Sequence, residues 1–199
     1  MSDFVFQENY FDEGRAAVWR ELVARWKPLT VLEIGAFEGQ ATCFLIEKIG
    51  EYANPEIHCI DTWQGGEEHS QMEMGVIEIH FRHNVRVANA KVDNRAAVIT
   101  HKGPSEQHLV KLLANGQAGY FDFIYIDGSH QAPDVLCDLV LSYRLCKIGG
   151  ILVCDDYLWR IGELLHEPKI SIDAFTNIYR DKIAILMAPL YQIYILKTA

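Results

Sequence analysis

No stretch of this sequence approaches the roughly 18 consecutive apolar residues that a membrane-spanning helix requires. Its start, Met1-Ser2-Asp3-Phe4-Val5, lacks the basic residues and apolar core of a secretory signal, which points to a cytoplasmic protein. Basic residues are the minority: 18 Lys and Arg against 27 Asp and Glu leave a net charge of -9. A phosphate backbone or an anionic membrane would call for the opposite balance, so neither nucleic acid nor membrane is an expected partner. Cysteine is sparse as well. Cys43, Cys59, Cys137, Cys146 and Cys154 make an odd number with no C-x-x-C pair, which argues against a disulfide framework or a zinc cluster and for reduced, buried thiols. No Pro/Gly/Ser-rich linker, repeat or low-complexity tract interrupts the 199 residues, so a single domain is expected.

Half of the residues are hydrophobic, enough for a sizeable core. Their spacing predicts a helix over 12–26, with Trp19, Leu22, Val23 and Trp26 on one stripe. Lys27-Pro28 closes it, because a residue before proline disfavours the α region. Trp19 and Trp26 could serve an interface between copies of the chain, a route to a homo-oligomer. Strands are expected at 30–34, 57–60, 97–100 and 121–126, and a fifth starting from Gly149-Gly150. Helices are expected at about 40–49, at 105–113 with Ser105 as N-cap and Asn115-Gly116 as breaker, and at about 133–145. Residues 62–92 are the least regular, although Met74, Ile77, Phe81 and Val85 keep helical spacing. Strands alternating with helices imply a parallel sheet wrapped on both faces. The runs Ile183–Met187 and Tyr191–Leu196 are joined only by Ala188-Pro189-Leu190, a connection short enough only for an antiparallel hairpin. The expected class is therefore α/β: a doubly wound, mostly parallel seven-stranded sheet with a C-terminal antiparallel hairpin.

Two apolar runs end abruptly in acid, Phe123-Ile124-Tyr125-Ile126-Asp127 and Ile151-Leu152-Val153-Cys154-Asp155-Asp156. As neighbouring parallel strands they would bring three carboxylates into one small volume, and close like charges call for a cation. Three carboxylates suit a hard, oxygen-liganded cation such as Mg²⁺ or Ca²⁺. Adjacent Asp155 and Asp156 cannot both point inward from a regular strand, so the backbone must turn there. The plainer alternative is that these acids are solvated strand ends.

The first strand leads into Glu33-Ile34-Gly35-Ala36-Phe37-Glu38-Gly39. A dinucleotide fingerprint would need glycine where Phe37 and Gln40 stand, so phosphate cradling is not expected. Gly35 and Gly39 still permit a tight turn against a ligand lacking phosphate, and Glu33 could accept a hydrogen bond from a cationic amino group. Asp61, fewer than 30 residues after Gly35, is placed to accept the hydroxyls of a ribose. Trp63 offers a flat face to a purine, or is core. The plainer readings are a simple βα turn and a loop-capping aspartate.

Together these residues resemble class I S-adenosylmethionine-dependent methyltransferases. Within that superfamily the chain resembles the metal-dependent O-methyltransferases typified by catechol O-methyltransferase, and the macrocin-type sugar O-methyltransferases with a double aspartate. The likeness spans roughly 28–198 and implies a Rossmann-like methyltransferase fold. It implies that Glu33, Gly35, Ala36, Phe37 and Gly39 hold the methionine end of S-adenosylmethionine. Asp61, with Thr62 and Trp63 beside it, would take the ribose side, and Gly103-Pro104-Ser105-Glu106 the adenine. The catechol branch has Ser two residues after the second glycine; here that position is Ala41, and Thr42 follows it. Asp127, Asp155 and Asp156 match the metal-binding positions, for Mg²⁺ or another hard divalent cation such as Ca²⁺ or Mn²⁺. Asp127 thereby joins both the cofactor and the catalytic sets. His130, on the loop after Asp127, would be the general base. The activity so implied is metal-assisted O-methylation of a small hydroxylated acceptor, a sugar, catechol or polyol. Residues 64–92 would form a lid and acceptor wall, with no role assigned to His69, His80, Arg82 and His83. The rivals are metal-free N- or O-methylation by proximity, a catalytically inactive cofactor-binding partner protein, and a nicotinamide oxidoreductase, the last weakened by Phe37 and the final hairpin.

Overall fold

A computed structural model describes residues 3–66, 69, 72–160, 162–189 and 191–199. Its strands are β1 (Thr30–Ile34), β2 (Glu56–Asp61), β3 (Ala97–Lys102), β4 (Phe121–Ile126), β5 (Cys146–Cys154), β6 (Ile183–Met187) and β7 (Ile193–Lys197). The helices are α1 (Glu13–Trp26), α2 (Gln40–Gly50), α3 (Ile77–Lys91), α4 (Ser105–Ala114), α5 (Ala132–Leu145) and α6 (Pro168–Ile178). All the strands join one sheet in the order β3-β2-β1-β4-β5-β7-β6. β1 to β5 run parallel, and β7 is antiparallel to both β5 and β6. This is the expected α/β class, with the C-terminal hairpin inserted so that its second strand lies against β5.

Register places the site. Ile34 pairs with Ile60 and Ile126, and Ile126 pairs with Cys154. The next residues, Asp61, Gly35, Asp127 and Asp155, therefore leave the sheet at one level. The strand order reverses between β1 and β4, the switch point where such sheets open a crevice.

Both faces of the sheet are covered, so the central strands are apolar throughout instead of alternating. Phe123, Tyr125 and Val153 pack with Trp19, Leu45, Ile49, Phe81 and Tyr194 on one side. Ile124, Ile126 and Leu152 pack with Leu109, Leu139, Phe175 and Ile195 on the other.

Several local expectations shift. Asp12 is the N-cap of α1, accepting from the Arg15 N–H at 2.9 Å, and Lys27 closes the helix in the left-handed region at φ 46°. Trp19 is fully buried, and its indole N–H donates to Gln192 Oε1 at 3.2 Å and to the Tyr194 hydroxyl at 3.1 Å, so it is core and not an interface residue. Pro104, not Ser105, occupies the N-cap of α4, and no side chain caps that end. β5 begins at Cys146, before the glycine pair: Phe121 pairs with Cys146 and Phe123 with Ile151, and the extra residues bulge around Gly149 at φ +83°. β7 starts at Ile193, two residues later than expected, and Leu190 of the connecting turn lies outside the described residues. α6 was not anticipated, although Pro168 at its start and buried Ile172 and Phe175 three apart are its signature. Within 62–92, a 3-10 turn over Met74–Val76 leads into α3. All five cysteines are free. Among the described residues no helix is long and apolar enough to cross a membrane.

Candidate active site

The carboxyl ends of β1, β2, β4 and β5 open into a cavity of about 1110 Å³. That is slightly above the usual range of about 300–1,000 Å³ for small-ligand sites. Its floor depends on Gly35. There φ is +86°, and a Cβ would lie 1.8 Å from the Asp127 carbonyl oxygen. Any other residue would force the exits of β1 and β4 apart. Backbone bonds carry the sheet into the loops: Gly35 N–H donates to Ile60 O (2.9 Å), Asp127 N–H to Ile34 O (2.8 Å), Asp155 N–H to Ile126 O (3.0 Å) and Gly103 N–H to Asp61 O (2.9 Å).

On the β1–β2 side, Glu33 lines the cavity yet is only 1 % exposed. Burial pushes its carboxyl up to about 8, against the opposing hydrogen bonds from Thr42 and Cys59. Asp61 Oδ2 accepts from the Phe37 N–H at 2.7 Å and Oδ1 from the Trp63 N–H at 2.6 Å. The carboxylate thus ties the two cofactor-side loops together while lining the cavity. Ala36, Phe37, Thr62, Gly103, Ser105 and Glu106 line it too. Three expected residues stand behind it. Thr42 is fully buried and donates its hydroxyl to Glu33, so it orients that carboxylate without reaching the cavity. Gly39 opens α2 at φ +83° where a Cβ would press on the Phe81 ring at 2.9 Å, a packing requirement. Trp63 is buried, donates its indole N–H to Phe37 O at 3.0 Å and packs on Phe81, which makes it core and not a purine platform.

The aromatic wall comes instead from Phe37, expected as a cofactor residue, together with Tyr10 and His69, to which no role was assigned. Phe37 stacks on His69 with ring centroids 5.0 Å apart, and Tyr10 meets Phe37 edge-on at 5.6 Å. Tyr10 belongs to an N-terminal segment strapped across α2 and α3. Val5 N–H donates to Asn84 Oδ1 (2.7 Å), Gln7 N–H to Glu38 Oε2 (2.7 Å) and Phe11 N–H to Gln40 Oε1 (2.8 Å). His80 has a structural place here, 2.7 Å from Glu38 Oε1, while His83 meets Asp3 O and Arg82 pairs with Glu78. Only the buried acceptors Glu38 and Asn84 could have announced the strap, and buried polar residues are not recognisable before the fold is known.

On the β4–β5 side, Asp127, Asp155, Asp156 and His130 come together as expected, but they are bonded to other groups. The Tyr125 hydroxyl lies 2.7 Å from Asp127 Oδ2 and 2.6 Å from Asp155 Oδ2. One hydroxyl has one proton to give, so both contacts are satisfied together when Asp127 carries a proton and donates back. Burial, then the charges of Asp155 and Asp156, holds the Asp127 carboxyl well above the ordinary carboxylate range, in keeping with that arrangement. Asp155 Oδ2 also accepts from Gln192 Nε2 at 2.8 Å, and Oδ1 accepts from the Asp156 N–H at 2.8 Å and faces Arg15 Nη2 at 3.5 Å. Asp156 resolves the adjacency problem by a left-handed backbone at φ 56°, which carries its side chain to His130 Nε2 at 2.8 Å. The His130 ring lies 4.2 Å from that of Trp159.

The expected divalent-metal set is not formed by these side chains. Among the described residues, no three His, Cys, Asp or Glu are arranged to hold a metal ion. Tyr125, Gln192 and Arg15 engage Asp127 and Asp155, and Asp156 is drawn away to His130.

The fold and crevice define a Rossmann-like α/β protein with a ligand-sized cavity at the switch point, and comparison with known proteins narrows it. A family model described as a methyltransferase domain matches residues 32–157, and the chain belongs to that methyltransferase family. A probable caffeoyl-CoA O-methyltransferase of Dictyostelium discoideum is 36 % identical over 81 residues, 40 % of this chain and 31 % of that protein. Caffeoyl-CoA O-methyltransferase 1 of Eucalyptus globulus is 31 % identical over 85 residues, again 40 % of this chain and 31 % of that protein. The alignments thus span under a third of these relatives' lengths. Among solved structures, an O-methyltransferase from Bacillus cereus in complex with S-adenosylhomocysteine matches with a TM-score of 0.66 at 18 % identity, covering 94 % of this chain and 82 % of that one. TomG of Streptomyces achromogenes, solved with S-adenosylmethionine, matches at 0.66 and 14 % identity, covering 98 % and 84 %. These structural matches establish the shared fold.

Proposed function

We propose that the protein transfers a methyl group from S-adenosylmethionine to an oxygen of a small hydroxylated acceptor, with His130 taking the acceptor's proton. The observation that carries this reading is the His130–Asp156 pair at 2.8 Å, opening on the same cavity as Glu33 and Asp61. The cavity suits the cofactor: Gly35 lets the β1 and β4 exits close up to form its floor, and the acids Glu33 and Asp61 stand where an ammonium and a ribose would be met. When bound, S-adenosylmethionine supplies an activated methyl on a sulfonium, so the protein's task is to position and deprotonate the nucleophile.

Asp156 holds the imidazole. The Asp156 carboxylate orients the ring through Nε2 and stabilises the imidazolium formed when the proton arrives. Trp159 packs against the ring and limits its swing. Phe37, Tyr10 and His69 line the other side of the cavity.

The divalent-metal version of this chemistry, expected from the three acids, has no support in how those acids are bonded, so no step is derived through it. The two versions separate experimentally: loss of activity on chelation with recovery on Mg²⁺ would establish the metal mechanism. Screening catechols, sugars and polyols with a labelled methyl donor tests the acceptor class, and label appearing only on nitrogen would overturn O-methylation. Free, largely buried cysteines support a reducing, cytoplasmic setting.

A further inference from the structure

We propose that Arg15 is the resident counter-cation of the acidic platform, standing at Asp155 where a divalent metal would otherwise be needed. The inference takes the cavity as the reaction site but does not depend on which acceptor is methylated.

Arg15 sits in the first turn of α1 and is clamped from both sides. Nη1 pairs with the N-cap residue Asp12 at 3.2 Å, and Nη2 faces Asp155 Oδ1 at 3.5 Å. The Asp155 side chain is 4 % exposed and that of Arg15 19 %, so this pair lies largely out of water. A buried carboxylate left without a cation is strongly destabilising, and the guanidinium answers that need without any ion from solution. A guanidinium keeps its charge throughout the pH range in which the protein is folded, so Arg15 is a permanent cation.

The same helix reaches Asp155 by a second route. Trp19, one turn after Arg15, donates to Gln192 Oε1, and Gln192 Nε2 donates to Asp155 Oδ2 at 2.8 Å. Both Asp155 oxygens are thus engaged by groups that α1 supplies or orients. A dication entering here would meet a like charge at contact distance and would have to displace Gln192 and Tyr125 as well. Arg15 also lines the cavity, and its Nε–H is buried with no hydrogen-bond partner among the described residues.

The test uses the whole 199-residue chain, stripped with chelator. Mn²⁺ binding is followed by electron paramagnetic resonance and Mg²⁺ binding by calorimetry, for wild type, Arg15→Met and Arg15→Lys. Wild type should show no saturable site at millimolar Mn²⁺. Arg15→Met, which keeps the aliphatic stem and removes the like charge, should gain Mn²⁺ affinity by at least about tenfold. Arg15→Lys, which retains a cation, should stay nearer wild type. A stoichiometric micromolar Mn²⁺ site in wild type would overturn the proposal, as would a folded Arg15→Met that gains no affinity. If Arg15→Met does not fold, the wild-type titration alone decides between the two results. S-adenosylhomocysteine titrated in the same calorimeter reports the cofactor site independently: failure to bind would sink the methyl-transfer reading whatever Mn²⁺ does.

Discussion

The two halves of the crevice are built on opposite plans. On the β1–β2 side the acids are separated, and their partners come from within that half: Asp61 accepts from the Phe37 N–H, 24 residues earlier, and the Trp63 N–H, two later, and Glu33 from Thr42, nine later, and Cys59, 26 later. On the β4–β5 side the acids are crowded and answered from afar. Asp155 is met by Arg15, 140 residues earlier, by Tyr125, 30 earlier, and by Gln192, 37 later. Isolated carboxylates at a loop can be settled by local N–H donors, whereas three close carboxylates exceed what one loop can supply. The difference separates a half suited to binding from a half suited to chemistry.

The sharpest way to break that contrast is His130→Ala. It should lower kcat by about 10²- to 10⁴-fold while calorimetric affinity for S-adenosylhomocysteine stays at the wild-type value. An equal loss in both would mean the halves are not functionally distinct. Gly35→Ala strikes both halves at once, because its Cβ would collide with the Asp127 carbonyl at a backbone of φ +86°. A loss of at least about 3 kcal/mol in chemical denaturation is expected, with cofactor binding and turnover falling together.

Glu33 sharpens the comparison through pH. Its folded carboxyl is raised from an ordinary 4.5 to about 8, so between those values the folded protein binds more protons than the unfolded chain. Stability from this group is therefore greatest below about 4.5, falls as pH rises towards about 8, and is level beyond. Asp138, raised to about 7 by burial, slopes the same way, so the informative quantity is the difference between wild type and Glu33→Gln. Glu33→Gln should flatten the decline between pH 5 and 8 by an amount on the order of a few kcal/mol. Parallel stability curves for the two proteins would refute the burial argument.

The smallest expected effect is that of Tyr125→Phe. Removing the hydroxyl that bridges Asp127 and Asp155 should cost roughly 1–3 kcal/mol, read from urea midpoints, with little change in cofactor affinity. A larger fall in cofactor affinity than in stability would place Tyr125 in the binding half instead.

Much of the architecture is legible in one dimension because burial on both sheet faces writes uninterrupted apolar runs, such as Phe123–Ile126 and Ile151–Cys154, that stop at an acid. Gly35 is legible too, since the turn after β1 demands a backbone that only glycine tolerates. Trp19 and Trp63 were ambiguous, because hydrophobicity does not reveal whether an aromatic faces core, ligand or partner. The start of β5 was hidden by a bulge.

The succession of strands and helices, the C-terminal hairpin and the acids at the strand ends follow from residue patterning, because strand burial and connection length are local and periodic, whereas the strand order and the level at which Asp61, Gly35, Asp127 and Asp155 stand came with the tertiary structure. What bonds those acids was decided only in three dimensions. Arg15 reads in the sequence as one more polar position on an amphipathic helix, and Gln192 as a residue in a short terminal strand. Only packing α1 and β7 against β5 turns them into partners of Asp155, since an ion pair depends on distance in space and carries no mark along the chain.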